Sequence, residues 1–113
     1  MNMKTITLFT SILIMALFSF SALAQSSHFD EAVQHAEAAV KSDDAGSIAE
    51  HASMSKKYAS ASKSETDREI NHTHLNEAIN SLDEAVREGN DGDADAAKQA
   101  ARDALEHFNQ ATK

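Results

Sequence analysis

Leu75-Asn76-Glu77-Ala78-Ile79 and, seven residues on, Leu82-Asp83-Glu84-Ala85-Val86 decide the fold. Each unit sets a large apolar residue, an alanine three later and another apolar residue four later. Residues spaced this way share one face of an α-helix, and repetition at seven keeps that face pointing at a partner. The same unit occurs as Phe29-Asp30-Glu31-Ala32-Val33, followed by Ala36 and Val40, and its end is echoed by Ala101, Leu105 and Phe108. In heptad terms the large residues take positions d and a, and Ala32, Ala39, Ala78, Ala85, Ala97 and Ala104 take g.

Four helices follow from this frame. The chain has no proline, and alanine favours helix throughout. The first helix is expected from Ser27, an N-cap residue, to Ser42. The second is expected from about Ser47 to Lys63, after the turn-like Asp43-Asp44-Ala45-Gly46. The third should start near Thr66 or Asp67 and stop at Gly89. The fourth should start near Asp93 and run to the C-terminus. Ile48, Ala49, Ala52, Ser55, Lys56 and Ala59 make the seam of the second helix the weakest. Short connections between amphipathic helices predict an all-α, up-down-up-down four-helix bundle. Its alanine-rich core is thin, so its stability should be marginal.

The start of the chain reads differently. Lys4, the uncharged apolar run Ile6 to Phe20 and the small residues Ser21-Ala22-Leu23-Ala24 form a signal-peptide pattern with cleavage after Ala24. The run is short for a membrane span. The expected mature protein is therefore one domain, residues 25–113, in the periplasm or secreted. The whole chain has 18 acidic against 10 basic side chains and a net charge of −8; removal of Lys4 leaves nine basic side chains and −9, so the mature protein should repel nucleic acid and anionic lipid and gather cations. No cysteine is present, so neither disulfide nor thiolate ligand is available. No cofactor motif or nucleophile–base set points to an enzyme.

Five of the six histidines precede seam residues: His28-Phe29, His35-Ala36, His51-Ala52, His74-Leu75 and His107-Phe108. All five fall at heptad position c, beside g at the polar edge of the apolar stripe. Carboxylates recur one turn away at f: Glu31 between His28 and His35, Glu77 after His74, and Asp103 before His107. Side chains three or four apart on a helix are neighbours, so each imidazole–carboxylate pair is a half-site for a divalent ion. His28 and His35 are roughly 10 Å apart along the helix axis and should not share an ion. The missing ligands must come from water, a neighbouring helix or another molecule. Copper(II) should bind best to such donors, with nickel and zinc behind. The candidate ligands are His28, Glu31, His35, His51, His74, Glu77, Asp103 and His107.

Other features read more plainly. Helical histidine beside glutamate is common without any ligand. Met54, the only methionine of residues 25–113, covers alanine at a bundle edge, although thioether with His51 would suit copper(I). His72 lies outside the column, with a surface or capping role. Asp91, Asp93 and Asp95 alternate like a calcium loop, but Ala96 and Arg102 stand where that loop needs glycine and glutamate.

The segments His28-Phe29-Asp30-Glu31-Ala32-Val33-Gln34-His35-Ala36-Glu37, Glu50-His51-Ala52, Leu82-Asp83-Glu84-Ala85-Val86 and Asp103-Ala104-Leu105-Glu106-His107-Phe108 resemble the small metal-binding protein family of the bacterial periplasm. The resemblance implies a monomeric four-helix bundle that binds several divalent metals, copper foremost, as a periplasmic buffer or scavenger. That family repeats histidine more densely. Here Ser42, Tyr58, Ser81, Glu88 and Ala100 occupy the column, which implies lower capacity. The competing expectation is a helical interaction or stress protein without metal.

Overall fold

The computed structural model describes residues 27–65 and 68–113. The expected signal peptide, residues 1–24, lies outside them. Four helices form: α1 His28–Lys41, α2 Ala45–Ser62, α3 His72–Asn90 and α4 Ala94–Ala111. No strand occurs among the described residues, so the protein is all-α. None of its described helices is long and apolar enough to cross a membrane.

The caps set the boundaries. Ser27 accepts a hydrogen bond from the Asp30 amide and starts α1 as expected. Asp93 does the same for α4 through the Ala96 amide. Helix α2 starts before Ser47, because Asp44 accepts from the Ser47 amide. Helix α3 starts later than Thr66 or Asp67. Asn71 is its N-cap, accepting from the His74 amide at 3.1 Å, while the Asn71 amide donates to the Ala111 carbonyl at 2.8 Å. That second bond holds 71 outside the helix and ties the start of α3 to the end of α4.

Other contacts fix the remaining directions. Phe29 at the start of α1 meets Phe108 near the end of α4 edge-to-face, with centroids 5.5 Å apart. Such an aromatic pair contributes about 1 kcal/mol beyond its buried area. His28 meets Tyr58, and His35 meets His51, so α1 and α2 run antiparallel. Gly89 near the end of α3 meets Ala45 and Ala49 at the start of α2. Consecutive helices are thus antiparallel neighbours, and α4 returns to α1.

The core is thin, as expected, but its centre is displaced. Phe29, Leu75, Leu82 and Phe108 at d are buried, and the alanines at g are wholly buried. Val33, Val40, Ile79, Val86 and Leu105 at a are only half-buried. The centre of the stripe therefore lies between d and g. Close approach through alanine is what brings g inside. In α2 the weak seam is real: Ser55 is fully buried and its hydroxyl donates to the Ala32 carbonyl of α1 at 2.6 Å. That bond satisfies a polar group that would otherwise cost more than it contributes.

Gly89 is not the stop of α3, which continues to Asn90. It is a contact. A Cβ at Gly89 would lie 2.6 Å from the Ala45 carbonyl oxygen and 2.7 Å from the Ala49 Cβ. The left-handed turn that separates α3 from α4 is Gly92, with φ 86°.

Gly89→Ala should therefore destabilise the protein although alanine is the better helix former. The clash costs about 1–3 kcal/mol, against a helix-propensity gain of about 1 kcal/mol. Gly46→Ala meets only one atom, the Asp44 Oδ2 that caps α2, at 3.2 Å, and should change stability less than Gly89→Ala. Urea denaturation of both variants measures the contrast.

Candidate metal centre

Rotation of the buried stripe toward g has a direct effect on position c. Successive helical residues advance by about 100°, so c lies about 40° from g. With g inside, the c column sits at the lip of a helix–helix seam rather than out in solvent. His35, His51, His74 and His107 are each half-buried. Two seams of the bundle bring c columns face to face: α1 with α2, and α3 with α4. At the other two, a-position residues such as Val33 and Val86 line shallow clefts.

The α3–α4 seam brings three potential ligand side chains together. Asn71 and its bond to Ala111 set the first turn of α3 beside the last turns of α4. Buried Leu75 and Phe108 anchor the residues next to the two imidazoles. His74 and His107 then face each other, ring centroids 6.5 Å apart and planes inclined by 23°. Glu77, one turn after His74, reaches between them. Its Oε1 lies 3.0 Å from His74 Nδ1 and 3.4 Å from His107 Nδ1. One donor atom from each of the three residues lies within 4.8 Å of the other two. The first contact is a hydrogen bond. The second is within ion-pair reach but not in hydrogen-bond geometry, and His107 Nδ1 is shut from solvent without a partner.

The donor set fits an ion. Nitrogen and oxygen ligands at 2.0–2.2 Å from a tetrahedral ion stand about 3.3 Å apart, close to the spacing already present between Glu77 and the imidazoles. The third spacing, between the two imidazoles, is within 4.8 Å. Two imidazoles and a carboxylate suit copper(II), nickel and zinc, and leave at least one position open on the solvent side.

The α1–α2 seam is built otherwise. Its two c columns interleave as Glu65, His28, Tyr58, His35 and His51. Glu65 accepts from the His28 amide at 2.8 Å and lies 3.1 Å from its Nδ1. Tyr58 stacks against His28 at 6.2 Å and lies parallel to His35 at 5.4 Å. His35 and His51 follow at 6.2 Å. Burial pushes the pKa of His35 down, repulsion from His51 adds to this, and the Glu31 charge opposes it. His51 Nδ1 and Glu65 Oε1 are buried without hydrogen-bond partners.

The eight candidate ligands thus separate. His74, Glu77 and His107 converge, and among the described residues they are the only group of three donors so close. His35 and His51 face one another, with Glu31 one turn from His35. His28 is engaged by Glu65. Asp103 accepts from Gln99 on the exposed side of α4 and does not join His107. Glu65 was missed in the sequence, although it stands seven residues after Tyr58 and continues the column past the end of α2. Met54 is exposed at the α2–α3 edge beside Ala49 and Val86, in keeping with a packing role. His72 is an exposed first residue of α3. Asp93 is a cap, and Asp95 adds acidic charge to the first turn of α4.

Fold and site together define a helical protein with an inter-helix donor set of the kind that holds divalent metal. Residues 3–111 match the small metal-binding protein family, and the chain belongs to that family. Comparison with curated proteins gives no match.

His35 gives the metal-free protein a pH dependence of known sign. Its pKa in the folded state is below the ordinary value of 6.5, so the unfolded chain binds the proton more readily. Its stabilising contribution is complete above about pH 6.5 and is lost as pH falls toward the depressed value. After chelator treatment, the melting temperature should drop between about pH 7.5 and 5.5, and His35→Gln should flatten that drop. An unchanged slope in the variant would refute the assignment to His35.

Proposed function

We propose that this protein reversibly binds divalent transition-metal ions at His74, Glu77 and His107, copper(II) foremost with nickel and zinc behind, and buffers them in the exported compartment after loss of residues 1–24. The convergence of three donors from two helices, with His107 Nδ1 buried and unpartnered, carries this reading. Membership of a metal-binding family supports it. The ligand types support copper(II) as the best-bound ion. The charged-then-apolar N-terminus with Ser21-Ala22-Leu23-Ala24 supports export. The acidic balance, −8 for the whole chain and −9 without Lys4, favours accumulation of cations around the molecule.

Buffering needs release as well as capture. A site with three protein ligands and an open side exchanges its ion through water, without unfolding. Imidazole coordinates only when neutral, so acidification below its ordinary pKa of about 6.5 should release the ion.

Calorimetric titration with copper(II), nickel and zinc should show binding tighter than free histidine provides. His107→Ala should weaken the tightest step by about tenfold or more, since a lost ligand matters at least as much as a lost supporting contact. Asp103→Ala should leave that step unchanged. Absence of binding above the free-histidine level would overturn the function, and equal effects of the two variants would overturn the site.

A further inference from the structure

We infer that Asn71 is the positioning residue of the α3–α4 site: it holds His74 across from His107 before an ion arrives, and so sets how tightly the ion is held. Asn71 stands outside the donor set of His74, Glu77 and His107, on whose metal-binding reading its role rests.

Three hydrogen bonds meet at this residue. Its Oδ1 accepts from the His74 amide at 3.1 Å. Its carbonyl accepts from the Leu75 amide at 3.0 Å, and its own amide donates to the Ala111 carbonyl at 2.8 Å. The first two fix the turn of α3 that carries His74. The third reaches α4 one turn beyond His107. The Ala111 carbonyl is one of the last four of α4, which have no partner within their own helix. Among the described residues, every other backbone hydrogen bond outside the helices joins near neighbours in the chain. The bond from Asn71 to Ala111 is thus the main-chain tie across the open end of the α3–α4 hairpin, opposite the Gly92 turn.

Helix ends open locally at low cost, and opening here separates the donors. His74 and Glu77 stay together on α3, but His107 leaves with α4. A site assembled in only a fraction of the molecules binds more weakly by that fraction. The bonds of Asn71 raise the assembled fraction. An ion held by His74 and His107 restrains the same two helix ends, so the ion and Asn71 each favour the other. The far end of the hairpin supplies a matched comparison. Asp93 caps α4 there by accepting from the Ala96 amide at 3.0 Å. Its chemistry is the same, and it stands at the other end of the helix from His107.

Asn71 is exposed, so its replacement leaves the core filled. Its φ of −75° suits proline, and Asn71→Pro removes both the side-chain acceptor and the amide donor. Asn71→Ala removes the acceptor alone, and Asn71→Asp keeps all three bonds. The experiment is zinc(II) titration of each protein, followed at the His74 and His107 ring resonances by NMR, with amide hydrogen exchange measured on the metal-free forms. Asn71→Pro should weaken zinc at these rings by about tenfold or more. It should also speed exchange in the last turn of α4, which a cap confined to α3 would leave untouched. Asn71→Ala should weaken zinc less, and Asn71→Asp should match the wild type. Asp93→Ala should lower the melting temperature and leave zinc affinity unchanged. Zinc affinity that survives Asn71→Pro undiminished, or falls as far in Asp93→Ala, would overturn the role of Asn71 and leave the metal site standing. Wild-type rings that zinc leaves unshifted would refute both. Should Asn71→Pro fail to fold, Asn71→Ala set against Asp93→Ala decides, since each loses one cap.

Discussion

Close helix approach through small residues is the constraint on which the rest of this structure depends. Ala32, Ala39, Ala78, Ala85, Ala97 and Ala104 are fully buried, and none offers a side chain long enough to hold neighbouring helices apart. Larger residues at those positions would move g outward and the stripe back toward a and d. The c column would then return to solvent, and the imidazoles of adjacent helices would no longer face each other. Thin packing and the inter-helix donor set are therefore one feature. What the core lacks in buried area, and hence in hydrophobic stabilisation, allows the seams to be lined by imidazoles and carboxylates.

The four seams divide their work. Two are lipped by c positions and carry the histidines. The other two are lipped by a positions and carry valine, leucine and the Gly89 contact. Antiparallel order alternates them around the bundle. Within the c seams, single residues create the difference. At α3–α4, Glu77 spans two imidazoles. At α1–α2, Tyr58 lies between His28 and His35, and Glu65 engages His28. The same frame thus yields a compact three-donor cluster on one side and an extended ladder on the other.

The helices and the common histidine register were legible in the chain because they depend on local periodicity. Leu75, Ile79, Leu82 and Val86 specify a helix face wherever they lie, and Ser27 and Asp93 mark starts by cap chemistry alone. Where tertiary contacts compete, local signals failed. Thr66 and Asp67 looked like a helix start, but the Asn71 bond to Ala111 sets the boundary. Gly89 looked like a helix stop, but the approach of Ala45 and Ala49 is what requires it. The pairing of His74 with His107 was also hidden. A column read on one helix does not reveal which column faces it, and half the bundle's seams do not bring c to c. Asp103 seemed as good a partner for His107 as Glu77, since both lie at f. Only the packing shows that Glu77 crosses the seam while Asp103 turns to Gln99.

The placement of His74 and His107 has a topological consequence. One stands in the first turn of α3 and the other in the last turns of α4, so an ion held by both closes almost the whole hairpin into a ring. This chain has no cysteine, and such an ion would be its cross-link: a staple that forms and breaks with ion concentration instead of redox state. The entropy removed by a cross-link grows with the logarithm of the loop it closes, about 0.6 kcal/mol per doubling. His35 and His51 enclose roughly half as much chain as His74 and His107. A staple at the far end of the longer hairpin therefore restrains the unfolded chain more, and fastens the helix ends most prone to fray.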